Sequence, residues 1–445
     1  MDEKKSVKFF IKTFGCQMNV DDSEETARLL RGLGMTEAAR EDEADLIHVN
    51  TCSVRRKAED KFFSYLGRQR ERKLERPLVL GVSGCIPERT DLKARLPFVD
   101  YVTGSRRPAD YLPELAGVLH EKFPGLNGAP APEGPISPFA YHTVIRGCSN
   151  FCAYCVVPHV RGPEASLPPE EIFEGVRAKA AGGAKEITLL GQNVLAYGYD
   201  LEPKKHLLDI IRMIHELPGL VWIRFVTSHP AWVREEFLEG IAALPKVCGH
   251  FHVPFQSGDD EVLRRMNRGY TSAEYVATVE MIRTYYPKAG ITADAIVGFP
   301  GETEAQFENT LRLVEEIRID SIYSFKYSTR EGTAAADGPD DVPEEEKKRR
   351  LAALNELQDG VSRGINEALI GKTLEVMVDG VREAGARFQG RTRTNKMTDF
   401  TAAAEFKAGD VVSVKITGAT PHGLQGMAEY QQAAESGQQA GMVKD

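Results

Sequence analysis

Seven cysteines are the residues of this chain whose spacing most directly indicates chemistry. Three of them, Cys148, Cys152 and Cys155, form a C-x3-C-x2-C motif just after an apolar run. Thiols this close in sequence can share one metal centre, although a structural zinc ion usually takes four ligands. Three thiolates on a 4Fe-4S cluster leave one iron available to a small molecule. The motif therefore predicts an iron–sulfur cluster, with a zinc site or a chance grouping as the alternatives.

Three further cysteines, Cys16, Cys52 and Cys85, lie about 35 residues apart, and each ends an apolar segment: IKTFGC, IHVNTC and LVLGVSGC. The carboxyl ends of neighbouring parallel strands lie along one edge of a sheet, so loops there can bring distant thiols together. The spacing predicts a second site, and the alternative is three separate buried cysteines. The remaining cysteine, Cys248, is predicted to be a core residue.

Composition sets the class of protein. The chain has 445 residues, 42% hydrophobic and 27% charged, which is typical of a folded protein of about three domains. It has no apolar run of the length a membrane span needs, and MDEKKSVKFF lacks a signal-peptide core, so we expect a cytoplasmic protein with no membrane partner. The net charge of −9 means that nucleic-acid binding requires a local basic patch.

The elements that position the cysteines are predicted to form an α/β protein. Apolar runs alternate with helical segments before a Pro- and Gly-rich stretch, and six strand–helix units follow it, with strands near residues 143, 186, 221, 250, 291 and 321. Short β runs come last. The predicted organisation is an N-terminal parallel α/β domain (7–122), a linker (123–139), a partial (β/α)6 TIM-like barrel (140–368), a small C-terminal β-barrel (369–432) and a flexible tail (433–445).

Polar and glycine residues follow several strands of the predicted barrel. Catalytic groups of such barrels lie at the carboxyl ends of the strands, so these residues are candidates for contacts to a cofactor or substrate. The alternatives are amides that cap loops and plain turns. The candidates are Gln192, Asn193, Ser228, Gln256, Ser257, Gly298 and Gly301.

The basic patch is predicted in the last domain. Residues 380–398 carry five cations against one anion, and Phe388 and Phe400 flank them, so the segment could follow a phosphate backbone and stack on bases. A second basic run near Arg68 is interrupted by glutamates and is equally well explained as a solvated helix face. The candidate RNA-binding residues are Arg382, Arg387, Arg391, Arg393 and Lys396.

The cysteine motif, with Tyr154 before its last cysteine, resembles the signature of the radical S-adenosylmethionine superfamily. This resemblance implies that Cys148, Cys152 and Cys155 hold a 4Fe-4S cluster. It also implies that S-adenosylmethionine binds the open iron through its amino and carboxylate groups and is cleaved to a 5′-deoxyadenosyl radical.

The strings TFGCQMN, VNTCSVR and SGCIPER resemble the methylthiotransferase family, and TFGCQMN is similar to its tRNA branch. The resemblance implies a second, auxiliary 4Fe-4S cluster on Cys16, Cys52 and Cys85, and an RNA-binding TRAM domain at the end of the chain. Ile86 and Pro87 depart from the family's more frequent Met-Ala.

The tRNA branch adds a methylthio group to isopentenyl-adenosine beside the anticodon, so we expect this reaction. The resemblance implies that one S-adenosylmethionine would methylate a sulfur on the auxiliary cluster and that a second would supply the radical that activates carbon 2 of the adenine. The implied partners are tRNA, an electron donor such as flavodoxin or ferredoxin, and a sulfur source, and a monomer is expected. Alternatives are the same chemistry on threonylcarbamoyl-adenosine in tRNA or on a ribosomal-protein aspartate, or a non-catalytic RNA-binding protein stapled by metal.

Overall fold

A computed structural model describes residues 6–52, 56–124, 126, 134, 136–383 and 387–429. The chain divides into two compact units, residues 1–358 and 359–445. Most of the predicted linker and all of the predicted tail lie outside the described residues. In the described part of the chain, no helix combines the length and hydrophobicity needed to span a bilayer.

The first unit begins with a parallel five-stranded sheet in the order β2-β1-β3-β4-β5. β3 and β4 are buried along their whole length, as expected for strands covered on both faces. The strand order reverses between β1 and β3, which makes the carboxyl ends of these two strands a topological switch point. The elements are β1 (Lys8–Thr13), α1 (Gln17–Gly32), β2 (Thr36–Glu37), β3 (Leu46–Thr51), α2 (Arg56–Glu75), β4 (Val79–Gly84), α3 (Leu92–Arg95), β5 (Tyr101–Val102) and α4 (Pro108–Lys122).

A partial barrel follows, and the strands of its two three-stranded ladders are parallel, whereas the short β7 and β8 pair antiparallel. The ladders run β6-β9-β10 and β11-β12-β13, and the amide of Ser228 donates to the carbonyl of His252 between the two groups. The elements are β6 (Phe139–Thr143), β7 (Ile145–Arg146), α5 (Val157–Arg161), β8 (Ala165–Ser166), α6 (Pro169–Ala181), β9 (Glu186–Leu190), α7 (Leu207–His215), β10 (Trp222–Val226), α8 (Glu235–Ala242), β11 (His250–His252), α9 (Asp260–Arg265), α10 (Ser272–Tyr285), β12 (Gly290–Val297), α11 (Glu304–Ile317), β13 (Ser321–Lys326) and α12 (Glu344–Glu367).

The first barrel strand corrects one prediction. The sequence suggested a strand near Thr143, whereas β6 ends there and the short β7 pairs instead with β8. Cys248 is 1% exposed, which confirms the prediction of a core residue.

Helix α1 joins the N-terminal sheet to the barrel through buried charges. Asp21 accepts a hydrogen bond from the amide of Thr143 at 2.8 Å and pairs with Lys179 on α6. Asp22 forms an ion pair with Arg146, and both side chains are about one-tenth exposed. Burial raises the pKa of Asp21, but Lys179 and the other donors around it more than offset this and lower it to about 2. The helix that begins beside Cys16 is therefore fixed against the first barrel strand.

The second unit contains a closed five-stranded barrel in the order β14-β15-β16-β18-β17. The rings of Phe388 and Phe400, predicted to stack on bases, are each 2% exposed and stack on each other inside the barrel with centroids 5.6 Å apart. That prediction is wrong for both rings. The strands are β14 (Thr373–Glu383), β15 (Arg387–Thr392), β16 (Met397–Thr401), β17 (Val411–Thr420) and β18 (Gly423–Ala428).

Candidate functional site: two cysteine sites in one unit

The N-terminal sheet brings its three cysteines to one edge. Cys16 follows β1, Cys52 follows β3 and Cys85 follows β4, and these three strands are neighbours in the sheet. The side chains of Cys16 and Cys52 are hydrogen-bonded to each other. Cys16 also caps the N-terminus of α1, where the helix dipole favours a thiolate. We call this group the auxiliary site.

Two asparagines and a glycine fix the loops of the auxiliary site. The Asn19 side chain donates to Asn50 Oδ1 at 2.8 Å and accepts from the Cys16 amide at 3.3 Å. Gly84 has φ of +96°, and a Cβ there would lie 2.1 Å from the carbonyl oxygen of Thr51. Only glycine permits this approach, which lets the next amide, that of Cys85, donate to the same carbonyl at 2.9 Å.

The electrostatics of the auxiliary site favour the thiolate of Cys16. The hydrogen bond from Cys52, together with the positive charge of Arg161, lowers the pKa of Cys16 to about 5 despite the opposing effect of burial. Arg161 lies at the end of α5 in the barrel domain and hydrogen-bonds Cys85. A thiolate is the form that binds metal, so the site is prepared for a metal centre.

The second site is the loop of Cys148, Cys152 and Cys155, which we call the barrel site. Asn267 donates to the carbonyls of Asn150 and Phe151, at 3.2 and 3.0 Å, and so clamps this loop to the end of α9. Gly147 has φ of +77°, and a Cβ there would lie 1.9 Å from the carbonyl oxygen of Pro163. The geometry of the loop therefore depends on contacts from distant segments.

The barrel site differs electrostatically from the auxiliary site. Burial raises the pKa of Cys155 to about 12, and the neighbouring thiols add to this effect. A bound cation reverses such a shift because it stabilises the thiolate directly. Arg268 donates to Cys152 Sγ at 3.2 Å and to the Pro254 carbonyl at 3.0 Å. A cavity of about 460 Å³, lined by Phe151, Cys152 and His159 among others, opens beside the loop.

The donor chemistry at both sites fits an iron–sulfur cluster. Among the described residues, no three His, Cys, Asp or Glu side chains converge on a single ion. Each thiolate of a 4Fe-4S cluster bonds a different iron, so cluster ligands need not converge on one point. Such a cluster requires cysteine thiolates as ligands, and each site supplies a group of them. Each group also lies beside an arginine.

Comparison with known proteins identifies the family. The Radical SAM superfamily matches residues 143–314, and Uncharacterized protein family UPF0004 matches residues 8–104. The tRNA-2-methylthio-N(6)-dimethylallyladenosine synthase of Pelotomaculum thermopropionicum is 43% identical over 95% of this chain and 98% of its own. The protein of the same name from Carboxydothermus hydrogenoformans is 42% identical over 92% and 96%. The chain belongs to this synthase family.

Solved structures show the same fold as this member of the synthase family. The radical S-adenosylmethionine methyltransferase TsrM from Kitasatospora setae matches with a TM-score of 0.53 and 13% identity, over 74% of this chain and 77% of its own. The cobalamin-dependent S-adenosylmethionine radical enzyme OxsB matches with a TM-score of 0.51 and 11% identity, over 80% and 56%. These likenesses confirm the predicted α/β fold class.

The family assignment confirms the predicted radical S-adenosylmethionine methylthiotransferase. It implies a 4Fe-4S cluster and S-adenosylmethionine. The comparisons do not support the predicted alternatives. These were the same chemistry on threonylcarbamoyl-adenosine or on a ribosomal-protein aspartate, and a non-catalytic RNA-binding protein stabilised by metal.

The structure of this synthase separates the predicted strand-end residues into two groups. Gln192 and Asn193 follow β9, and each has a buried polar atom, Gln192 Oε1 and Asn193 Nδ2, without a hydrogen-bond partner. Such atoms suit contacts to a cofactor or substrate. Ser228 is buried in the loop after β10, where its amide joins the two strand groups.

The other candidates are used within the protein itself. The backbone amide of Gln256 donates to the backbone carbonyl of Asp294, and Ser257 Oγ accepts from the backbone amide of Asp259. The amides of Gly298 and Gly301 donate to the carboxylates of Glu302 and Asp341, and both glycines have positive φ. These contacts fit the alternative of structural turns, and a cofactor role for the four residues stays a prediction.

The predicted RNA-binding cations of the second unit are partly paired. Arg382, Arg391 and Arg393 form ion pairs with Asp399, Asp379 and Glu375, and Lys396 hydrogen-bonds Asn366 at 2.8 Å. All three of these acids lie just outside the segment (380–398) whose charge suggested the patch. Arg387 begins β15 and is exposed.

Sequence reasoning missed two arginines, Arg161 and Arg268. Both lie in strings that resemble the family, but nothing in their spacing places either beside a cysteine. Arg268 is 116 positions from Cys152. Arg161 follows Cys155 closely in sequence, at the end of α5, but the cysteines with which it interacts are Cys85 and Cys16.

Proposed function

We propose that this protein converts isopentenyl-adenosine beside the anticodon of tRNA to its 2-methylthio derivative, using two 4Fe-4S clusters. The observation that carries the proposal is the presence of two separate groups of three cysteines in the first unit. The names of the relatives give the substrate of those proteins as a dimethylallyladenosine in tRNA.

The protein's part in the reaction is to hold the clusters and to orient the cofactor and the substrate. When bound, the clusters and S-adenosylmethionine supply a radical that can activate an inert carbon–hydrogen bond, which no side-chain acid or base can do. Cys148, Cys152 and Cys155 would hold the cluster that takes S-adenosylmethionine, and the auxiliary cysteines would hold the other. Gln192 and Asn193 offer the unpaired polar atoms that would orient the cofactor or substrate.

The C-terminal barrel would bind the tRNA backbone through its basic strand residues. Arg382 is the clearest candidate because 57% of its side chain is exposed, although Asp399 lies 3.6 Å away. Phosphates would compete with that carboxylate for the guanidinium. The electron donor, the sulfur source, the monomeric state and the cytoplasmic location stay predictions.

Nucleoside mass spectrometry tests the proposed reaction. We expect the wild-type chain to restore methylthio-isopentenyl-adenosine to tRNA in a strain that lacks its own methylthiotransferase. Variants with alanine at either group of three cysteines should leave isopentenyl-adenosine unmodified. A wild-type chain that restores only methylthio-threonylcarbamoyl-adenosine, or no modified nucleoside, contradicts the proposal.

A further inference from the structure

Arg161 belongs by sequence to the barrel site and by position to the auxiliary site. It ends α5, the short helix that follows Cys155. Its guanidinium hydrogen-bonds Cys85, donates to Met18 Sδ at 2.6 Å and interacts electrostatically with Cys16. The auxiliary site therefore receives one of its charged groups from the other domain.

The other groups around Arg161 show that its charge is directed to the cysteines. Asp22 faces Arg161 but already forms its ion pair with Arg146. Cys16 and Cys85 are the other two residues that interact favourably with the Arg161 guanidinium among the groups that act on it. Met18, which Arg161 contacts, also accepts from Gln192 Nε2 at 3.0 Å, so the contact continues to a strand end of the barrel.

We infer that Arg161 is a positioning residue that raises the reduction potential of the auxiliary cluster. The inference rests on the proposed function, because it requires a cluster on Cys16, Cys52 and Cys85. A cluster held by three thiolates is anionic, and reduction adds a further negative charge. A nearby cation that hydrogen-bonds a ligand sulfur stabilises the reduced form more than the oxidised form, so the potential rises.

Arg268 provides an internal comparison, because it donates to Cys152 Sγ at the barrel site. Each site thus has an arginine that interacts with a cysteine sulfur. Arg107 provides the control, since it lies in the N-terminal domain and pairs across the same domain contact with Glu171 on α6.

The test is a potentiometric titration followed by electron paramagnetic resonance. The Cys148, Cys152 and Cys155 triple alanine variant of the full chain leaves only the auxiliary cluster to observe. In this background we expect Arg161→Gln to move the midpoint potential to a more negative value, Arg161→Lys to restore part of the shift, and Arg107→Gln to leave it unchanged. In the complementary background, which lacks the auxiliary cysteines, Arg161→Gln should have no effect and Arg268→Gln should lower the potential.

Each outcome decides between electrostatics and packing. An unchanged potential in Arg161→Gln, or an equal shift in Arg107→Gln, overturns the inference. If Arg161→Gln loses the auxiliary irons, their retention in Arg161→Lys supports a role for the charge, and their loss in Arg161→Lys or in Arg107→Gln overturns it. A parent background without any 4Fe-4S signal instead contradicts the proposed function.

Discussion

The auxiliary site and the barrel site each contain three cysteines but are assembled in different ways. The barrel site takes its cysteines from one loop of eight residues, and distant segments clamp that loop in place. The auxiliary site takes its cysteines from three strand ends, and the sheet itself sets their separation. One site depends on contacts to a loop, and the other depends on strand order and register. The comparison shows that the two sites should respond differently to local and to global perturbation.

The largest expected effect comes from removing either group of cysteines. Alanine at Cys148, Cys152 and Cys155 should remove about four irons and abolish formation of 5′-deoxyadenosine, because nothing remains to deliver an electron to S-adenosylmethionine. Alanine at the auxiliary cysteines should also remove about four irons but leave 5′-deoxyadenosine formation intact. Iron analysis and product assays under anaerobic conditions measure both. If the second variant keeps all its iron or still makes methylthio product, those cysteines are core residues and hold no cluster.

The next largest effect should come from breaking the buried ion pair between α1 and the barrel. Asp22→Asn leaves Arg146 buried without its charged partner, so we expect the free energy of unfolding to fall by about 3 kcal/mol or more. Urea unfolding of the cluster-free protein measures the loss. Glu174→Gln breaks the pair with Arg177, in which both side chains are 57% exposed, and should lower the free energy of unfolding far less than Asp22→Asn does. Equal losses in the two variants would contradict the buried role of Asp22.

We expect the free energy of unfolding to depend on pH through a buried histidine in the N-terminal sheet. His48 on β3 is fully buried between Tyr101 and Ser83, and burial lowers its pKa to about 4. The unfolded chain binds a proton on this residue near its usual pKa of about 6.5, so stability falls as the pH drops from about 6.5 to 4. The loss attributable to His48 should reach about 3 kcal/mol by pH 4.

Urea unfolding at pH 7 and pH 4.5 tests this expectation. His48→Gln should be less stable at pH 7, because it loses hydrogen bonds, and should show a smaller drop between the two pH values than the wild type. His120→Gln, on the exposed side of α4, should keep the full drop. The assignment to His48 is wrong if its variant also keeps the full drop.

The smallest effect concerns the second unit. Arg382→Gln should reduce the slope of log affinity for tRNA against log salt by about one, because one phosphate contact is lost. Lys415→Gln removes the same charge from β17, outside the basic segment, and should leave the slope unchanged. Filter binding over a salt series measures both slopes. A slope that both variants reduce equally would indicate attraction by overall charge rather than a defined contact.

The sequence allowed the parallel sheets and the grouping of the auxiliary cysteines to be predicted, because strand periodicity and strand ends are local features. The hydrogen bond between the side chains of Asn19 and Asn50 could not be predicted. The two residues are 31 positions apart, and they come together only because β1 and β3 are neighbours in the sheet. Phe388 and Phe400 were misassigned for a related reason. They face each other across β15 and β16, and only closure of the barrel turns that face inward. The alternation of residues along a strand shows that it has two faces, but it does not show which face lines the interior of the barrel.

The position of Arg161 also has a consequence for synthesis of the protein. Cys16, Cys52 and Cys85 are all translated before the arginine that contacts two of them. At about 5–20 residues per second, the ribosome needs roughly 4–15 seconds to pass from Cys85 to Arg161. During this interval the nascent chain carries three thiols whose charged neighbour does not yet exist. Full assembly of the auxiliary site therefore has to wait until the segment after Cys155 has left the ribosome.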